Sequence, residues 1–220
     1  RRKFVDADGL ELMNMLMREK RLSRFGALKT VSYCLGSGDD AADSCCNHYV
    51  RAALGLRTLF PLLMKLPNLN HKQQGLSPSD SYTRSSVLEH VLTIVNSLIK
   101  HCSGLELRRV MAKFDEKHHE KLERLVELHS EFFEVYEITR QTIDEERAET
   151  APNNETDEME YIVRELDGGL PILHLIDETL MICVSYAPDT LGQHVKHVLN
   201  LRRIDPTELT NVVTRYRTYK

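Results

Sequence analysis

The chain has 220 residues, 29 basic and 33 acidic, for a formal net charge of −4, with 41% hydrophobic residues, 10 glycines, 7 prolines and no tryptophan. A net-acidic chain without a one-sided basic patch argues against nucleic acid as the main ligand, and no apolar run reaches the ~20 residues that cross a bilayer as a helix. Few glycines and prolines and no strand-like alternation predict an all-α protein. No signal-peptide pattern is visible, and a first residue of arginine, not methionine, leads us to expect a fragment of a longer protein.

The first element is Gly9-Leu10-Glu11-Leu12-Met13-Asn14-Met15-Leu16-Met17, a helix-breaking glycine followed by apolar residues at offsets one, four and seven (Leu10, Met13, Leu16). That is the stripe of a buried helix. The pattern recurs twice, as Leu56, Leu59 and Leu62 after Gly55 and as Leu170, Leu173 and Ile176 after Gly169. Gly9 and Gly55 lie about 46 residues apart, within the ~40–47-residue period of armadillo and HEAT repeats, so the repeat predicts an α-solenoid. Phe60, Met64 and Met17 read as core, because Met and Phe at helical spacing are usually packed inside.

Residues 21–35 read as a second helix through Leu22, Phe25, Leu28, Val31 and Leu35, stopped by Gly36-Ser37-Gly38. A short helix over about 41–53 buries Tyr49 and Val50. Residues 67–83 are rich in Pro, Asn, Gln and Ser and read as a flexible loop. The helix 84–102 presents a wide apolar face through Val87, Leu88, Val91, Leu92, Val95, Leu98 and Ile99.

Asp115 reads as the cap of a long helix ending at Glu149. Steps of 100° place Leu122, Leu125, Val126, Phe132, Phe133, Tyr136 and Ile143 on one side, and Glu116, Glu120, Glu123, Glu127, Glu131 and Glu134 in a stripe opposite. Residues 150–157 read as a second flexible linker. Pro188 ends the helix of the third cassette, and Asp205-Pro206-Thr207-Glu208 supplies an N-cap, a first-turn proline and an N3 carboxylate for a final helix. The expected architecture is a single armadillo/HEAT-like α-solenoid, a right-handed superhelix with repeat units at about 9–54, 55–103, 104–149 and 158–220.

Residues 9–31 (GLELMNMLMREKRLSRFGALKTV), 54–65 (LGLRTLFPLLMK), 122–132 (LERLVELHSEF) and 161–176 (YIVRELDGGLPILHLI) resemble, in order, the C-terminal part of the beta-catenin-like protein 1 family. The resemblance implies a nuclear armadillo-repeat scaffold of pre-mRNA splicing, associated with the spliceosome through the nineteen complex, without enzymatic activity, that binds basic localisation segments of splicing factors. An importin-like adaptor for localisation-signal cargo is the alternative. Armadillo repeats that clamp such signals use a Trp and an Asn four residues later. Lys29 and Tyr33 occupy those positions here, and Thr93 and Ser97 do so in the next repeat, which speaks against the importin-like groove.

No catalytic constellation, phosphate loop or cofactor motif is visible. His194 and His197 have the spacing of a metal pair, but no further ligand accompanies them, and a closed site needs four. His118 and His119, adjacent on a helix, point ~100° apart. Neither a metal nor a cofactor is expected. The five cysteines lack CxxC spacing and read as buried thiols. Asn154-Glu155-Thr156 matches the glycosylation acceptor pattern and reads as coincidence in a chain of free cysteines.

Charge is unevenly spread. Residues 115–160 hold 16 acidic and 5 basic side chains, net −11, leaving +7 elsewhere. A charged helix face is ordinarily just solvated. The functional reading is that Glu120, Glu123, Glu127, Glu131 and Glu134 form a docking rail for Lys/Arg-rich segments of splicing-complex proteins. Self-association through an uncovered face of Leu10, Met13 and Met17 is a second expectation.

Overall fold

A computed structural model describes residues 1–19, 23–36, 38, 41–66, 83–149 and 155–219, with only the backbone at 155–157. The chain divides into two compact units, Arg1–Lys121 and Leu122–Lys220. Among the described residues there is no strand, and no single helix is long and apolar enough to cross a membrane. The expected loop 67–83 lies outside the described residues except for Thr83. So do Leu22 and Ser37, residues 150–154 of the expected linker, and Asn154 of the glycosylation pattern.

The first unit holds α1 (Arg2–Asp6), α2 (Gly9–Arg18), α3 (Ser23–Leu35), α4 (Ala42–Arg51), α5 (Leu56–Met64), α6 (Arg84–His101) and the first part of α7 (Gly104–Glu149). Helix α6 is central and packs against α3, α4 and α5, while α2 packs on α3 and α5. Its seven expected stripe residues are all buried, together with Ile94, Asn96 and Ser97, so it is covered on most of its circumference. A helix surrounded in this way has to be apolar nearly all round.

The cassettes bury as their spacing requires. Leu56, Leu59 and Leu62 are buried, as are Leu170, Leu173 and Ile176. In the first cassette Leu10 and Met17 are fully buried and Met13 and Leu16 half-buried. The face named for self-association is therefore largely covered inside the unit, and the apolar side chains that α2 exposes are Leu12 and Met15. Two cassette glycines have distinct causes. A Cβ at Gly55 would lie 2.1 Å from the Tyr49 ring, which is wholly buried, whereas Gly169 has φ +102°, a left-handed backbone that only glycine adopts without strain.

All five cysteines are free and buried, and four of them, Cys34, Cys45, Cys46 and Cys102, belong to the first unit. Burial pushes the Cys34 thiol up to about 11 and the Cys102 thiol up to about 12, which keeps both unreactive.

The helix expected over 115–149 is corrected by the structure. Helical geometry runs from Gly104 up to Asp115, breaks over Glu116, Lys117, His118 and His119, and resumes at Glu120. Lys117, His118 and His119 have φ of 53°, 56° and 67°, so Asp115 lies inside helical structure and does not cap the long segment, and neither adjacent histidine is on a helix. Three left-handed residues in a row cost about 1–2 kcal/mol each. Around them, Lys113 and Lys121 both reach Glu116, at 2.7 and 3.6 Å.

The second unit contains the rest of α7, then α8 (Glu155–Asp167), α9 (Leu170–Tyr186), α10 (Gln193–Arg202) and α11 (Pro206–Arg217). Helix α8 begins inside the expected linker 150–157. Helix α9 is the hub, packing on α8, α10 and α11. It ends at Tyr186, and Pro188 opens a single π-helical turn, Pro188–Gly192. The final helix is capped as its sequence specifies. Asp205 accepts from the Thr207 amide at 2.9 Å, and the Glu208 carboxylate accepts from the Asp205 amide at 3.1 Å.

Candidate functional site

Beyond the break, Leu122, Leu125, Val126, Phe132, Tyr136 and Ile143 are buried and Phe133 is half-buried. With that face fixed inward, helical geometry turns the carboxylates outward. Glu123, Glu127, Glu131 and Glu134 are exposed on the second unit. Glu120, half-buried, belongs to the first unit, and Glu116 lies in the break and so leaves the stripe.

Several of these carboxylates already have partners. Glu127 meets Arg124 at 3.1 Å and Arg202 at 3.3 Å, and Glu123 lies 3.5 Å from His194 Nε2. The hydrogen bond from Lys121 holds the Glu120 carboxyl below the usual range. Glu134 makes no ion pair among the described residues. The rail is thus a partly compensated acidic face. Val135 and Ile138, 54% and 60% exposed, lie beside it on α7.

The peptide-clamp positions point elsewhere chemically. Tyr33 is exposed on α3, with Lys29 Nζ 5.7 Å from its ring centroid and the His90 ring edge-on at 5.9 Å. Ser97 is buried and donates to the Thr93 carbonyl at 2.7 Å. This cation–π pair and buried hydroxyl do not reproduce an indole over an amide.

The sequence reading missed a set of buried ionisable groups in the second unit. Glu165, 1% exposed, accepts Arg215 through Nε and Nη2 at 3.0 and 2.8 Å, the Tyr219 hydroxyl at 2.6 Å and the Tyr136 hydroxyl at 2.9 Å. Burial pushes its carboxyl up, but the Arg215, Tyr219 and Tyr136 hydrogen bonds outweigh that and hold it below the usual range. His129 Nδ1 meets Asp177 Oδ1 at 2.7 Å, both fully buried, with the His129 ring stacked on Phe133 at 5.3 Å. Burial raises the Asp177 carboxyl to about 6 against the pull of His129. A signal was there to be read. His129 falls on the Leu122/Leu125/Val126/Phe132 stripe and Asp177 on the Leu170/Leu173/Leu180 stripe, and an ionisable group on an apolar stripe needs a buried partner.

A groove of about 610 Å³ opens beside this set, lined by Phe133, Tyr136, Arg140, Arg147, Asn211 and Arg215 among others. Each arginine there already holds a carboxylate: Arg140 that of Glu137 at 2.7 Å, Arg147 that of Glu158 at 2.6 Å, and Arg215 that of Glu165. These are pairs that brace helices, since Arg147 to Glu158 and Arg164 to Glu146 tie α7 to α8.

Stacked, amphipathic helices that present charged faces define an armadillo-like, all-α protein of the interaction-scaffold class. The chain belongs to the family described as catenin-beta-like, Arm-motif containing nuclear, whose family model matches residues 1–214. It is 34% identical over 223 residues to beta-catenin-like protein 1 of Rattus norvegicus and 32% identical over 222 residues to that of Homo sapiens, in each case over 98% of this chain and 37% of the relative. The beta-catenin-like protein 1 homolog of Schizosaccharomyces pombe is 26% identical over 220 residues, covering 97% of this chain and 34% of that protein. The chain therefore spans a little over a third of the length of the curated relatives it matches.

Proposed function

We propose that this chain is a non-enzymatic, nuclear protein-binding scaffold of the pre-mRNA splicing machinery that receives Lys/Arg-rich segments of splicing factors on the acidic face of α7. The observation that carries the binding mode is the row Glu123, Glu127, Glu131 and Glu134, held outward by the buried face of the same helix, with Glu134 unpaired among the described residues. The splicing role rests on membership of a nuclear family and on the resemblance to the beta-catenin-like protein 1 family. The Lys29/Tyr33 pair favours this reading over an importin-like adaptor.

Fluorescence anisotropy with a labelled Lys/Arg-rich decapeptide tests the binding mode. Affinity should fall steeply between low and physiological salt, because exposed charges are screened over ~8–10 Å. Replacing Glu123, Glu127 and Glu134 together by Gln should abolish binding with little loss of stability, since exposed ion pairs contribute about 0–1 kcal/mol. Unchanged affinity in that triple variant would overturn the acidic rail. A pull-down from nuclear extract that enriches no splicing factor would overturn the splicing assignment.

A further inference from the structure

The first unit carries a smaller groove with a net positive rim. It has a volume of about 280 Å³, with the buried Val50 and Leu56 behind it and Leu54, Arg57, Arg109, Lys113 and Glu116 around its mouth. One carboxylate faces three cations, and Glu116 is already held by Lys113 at 2.7 Å and approached by Lys121 at 3.6 Å. The hydrogen bond from Lys113 holds the Glu116 carboxyl below the usual range. Arg57 and Arg109 are exposed, and neither forms an ion pair among the described residues.

Leu54 is the unusual member. It is 45% exposed and sits in the left-handed region at φ 52°, a conformation a leucine adopts only at a cost of about 1–2 kcal/mol. Its neighbours hold it there. The buried Asn14 amide of α2 donates to the Ala53 carbonyl at 2.7 Å, and the Gly55 amide donates to the Tyr49 carbonyl at 3.0 Å. The Gly55-to-Tyr49 bond closes α4, so Leu54 takes the left-handed place at which helices commonly end, usually with a glycine. An aliphatic side chain on the surface is ordinary by itself. Here it forms one lip of a concave, positively rimmed site.

We propose that this groove docks an acidic segment of a partner protein, with one aliphatic side chain seated against the exposed Leu54 and flanking carboxylates meeting Arg57 and Arg109. The volume suits one side chain with its backbone, not a folded surface. Charge complementarity fixes the sign of the occupant, and bidentate guanidinium–carboxylate pairing suits the two free arginines. Among the described residues no aromatic side chain lines the groove. The acidic-segment site is independent of the basic-segment reading of α7, which involves other residues and the opposite charge, so either can fail without the other.

The test uses the 220-residue chain and a fluorescein-labelled heptapeptide Glu-Asp-Glu-Leu-Glu-Asp-Glu, with a Gln/Asn analogue and a labelled oligouridylate as controls. The acidic peptide should bind and the neutral analogue should bind at least about tenfold more weakly. The double variant Arg57→Gln, Arg109→Gln should also weaken the acidic peptide about tenfold, the scale of losing charge-assisted contacts. Leu54→Gly separates the lip from the charge. It relieves the positive φ, so the melting temperature should not fall, yet peptide affinity should drop severalfold. Binding of the acidic peptide that survives the double variant overturns the proposal, as does a neutral analogue that binds equally well. Oligouridylate that binds while the acidic peptide does not would assign the groove to nucleic acid.

Discussion

The two units bury different materials. The core of residues 1–121 is aliphatic, aromatic and thiol, as in Leu59, Leu88, Leu92, Tyr49 and Phe114, and its buried polar side chains are neutral, as in Asn14, Thr58, Asn96 and Ser97, apart from Lys121 at its end. The core of residues 122–220 is threaded with ionisable groups, namely His129, Asp177, Glu165, His174 and Glu178. Apolar packing tolerates loss of volume in proportion to the cavity left behind. A buried charge instead depends on each partner being present, and removal of one leaves an uncompensated group. The lesson is that periodic apolar stripes in both halves conceal two kinds of stability, one governed by shape and the other by protonation.

The largest expected effects separate these two kinds. Leu59→Ala in the first unit should cost ~2–5 kcal/mol, and a loss under about 0.5 kcal/mol would show that the cassette is not core. Glu165→Gln in the second should cost about 1.5–3 kcal/mol by replacing the charge-assisted bonds from Arg215, Tyr219 and Tyr136 with neutral ones. Denaturant unfolding at several pH values tells them apart. The Glu165 carboxyl is depressed in the folded state, so its contribution is present above the unfolded value and disappears as pH falls through the lower folded value. Leu59→Ala should shift the curve of stability against pH without altering its shape, whereas Glu165→Gln should remove part of the acid-side loss.

Asp177 has the opposite sign. Its folded value of about 6 lies above its ordinary 3.8. The stabilising contribution is therefore complete below about 3.8 and is lost as pH rises through about 6, with a slope of up to ~1.4 kcal/mol per pH unit. Asp177→Asn keeps an acceptor for His129 Nδ1 and should flatten that dependence between pH 4 and 6. An unchanged slope would place the titration on another group and weaken the contrast between the units.

These differences also mark what the sequence makes legible. Stripes at offsets of three and four residues located most of the helices, though not α1 or α8, because burial of one face is a local demand that periodicity records. Pairing across the fold is not local: Asp177 lies 48 residues from His129, and Arg215 lies 50 from Glu165. Spacing alone could flag the first member of each pair but not choose the second. The break at 116–119 was equally hidden. Glu-Lys-His-His contains no glycine or proline, and the left-handed turn is held by contacts from Lys113 and Lys121, residues that in a sequence read as ordinary helix surface. The groove around Leu54 escaped for a related reason, since Arg57 and Arg109 are 52 positions apart and neither belongs to a charge run.

The smallest expected effect compares the caps, of which each unit shows one reciprocal pair among the described residues. In the first, the Thr83 hydroxyl accepts from the Ser86 amide at 3.1 Å and the Ser86 hydroxyl accepts from the Thr83 amide at 3.0 Å. In the second, Asp205 and Glu208 do the same with carboxylates. Loss of either cap by Ala substitution should cost about 1 kcal/mol, because a helix-end amide loses its acceptor. The two should differ in salt and pH response. Asp205 is held below the usual carboxylate range by hydrogen bonds from Thr207, and its negative charge also interacts with the N-terminal end of the α11 dipole, an effect that salt screens. The Asp205→Ala penalty should therefore shrink at high salt and at pH below the unfolded Asp value, while the Thr83→Ala penalty stays constant. Equal behaviour of the two variants would show that the charged cap of the second unit acts only as a hydrogen-bond acceptor. The electrostatic character of that unit would then be confined to its buried pairs.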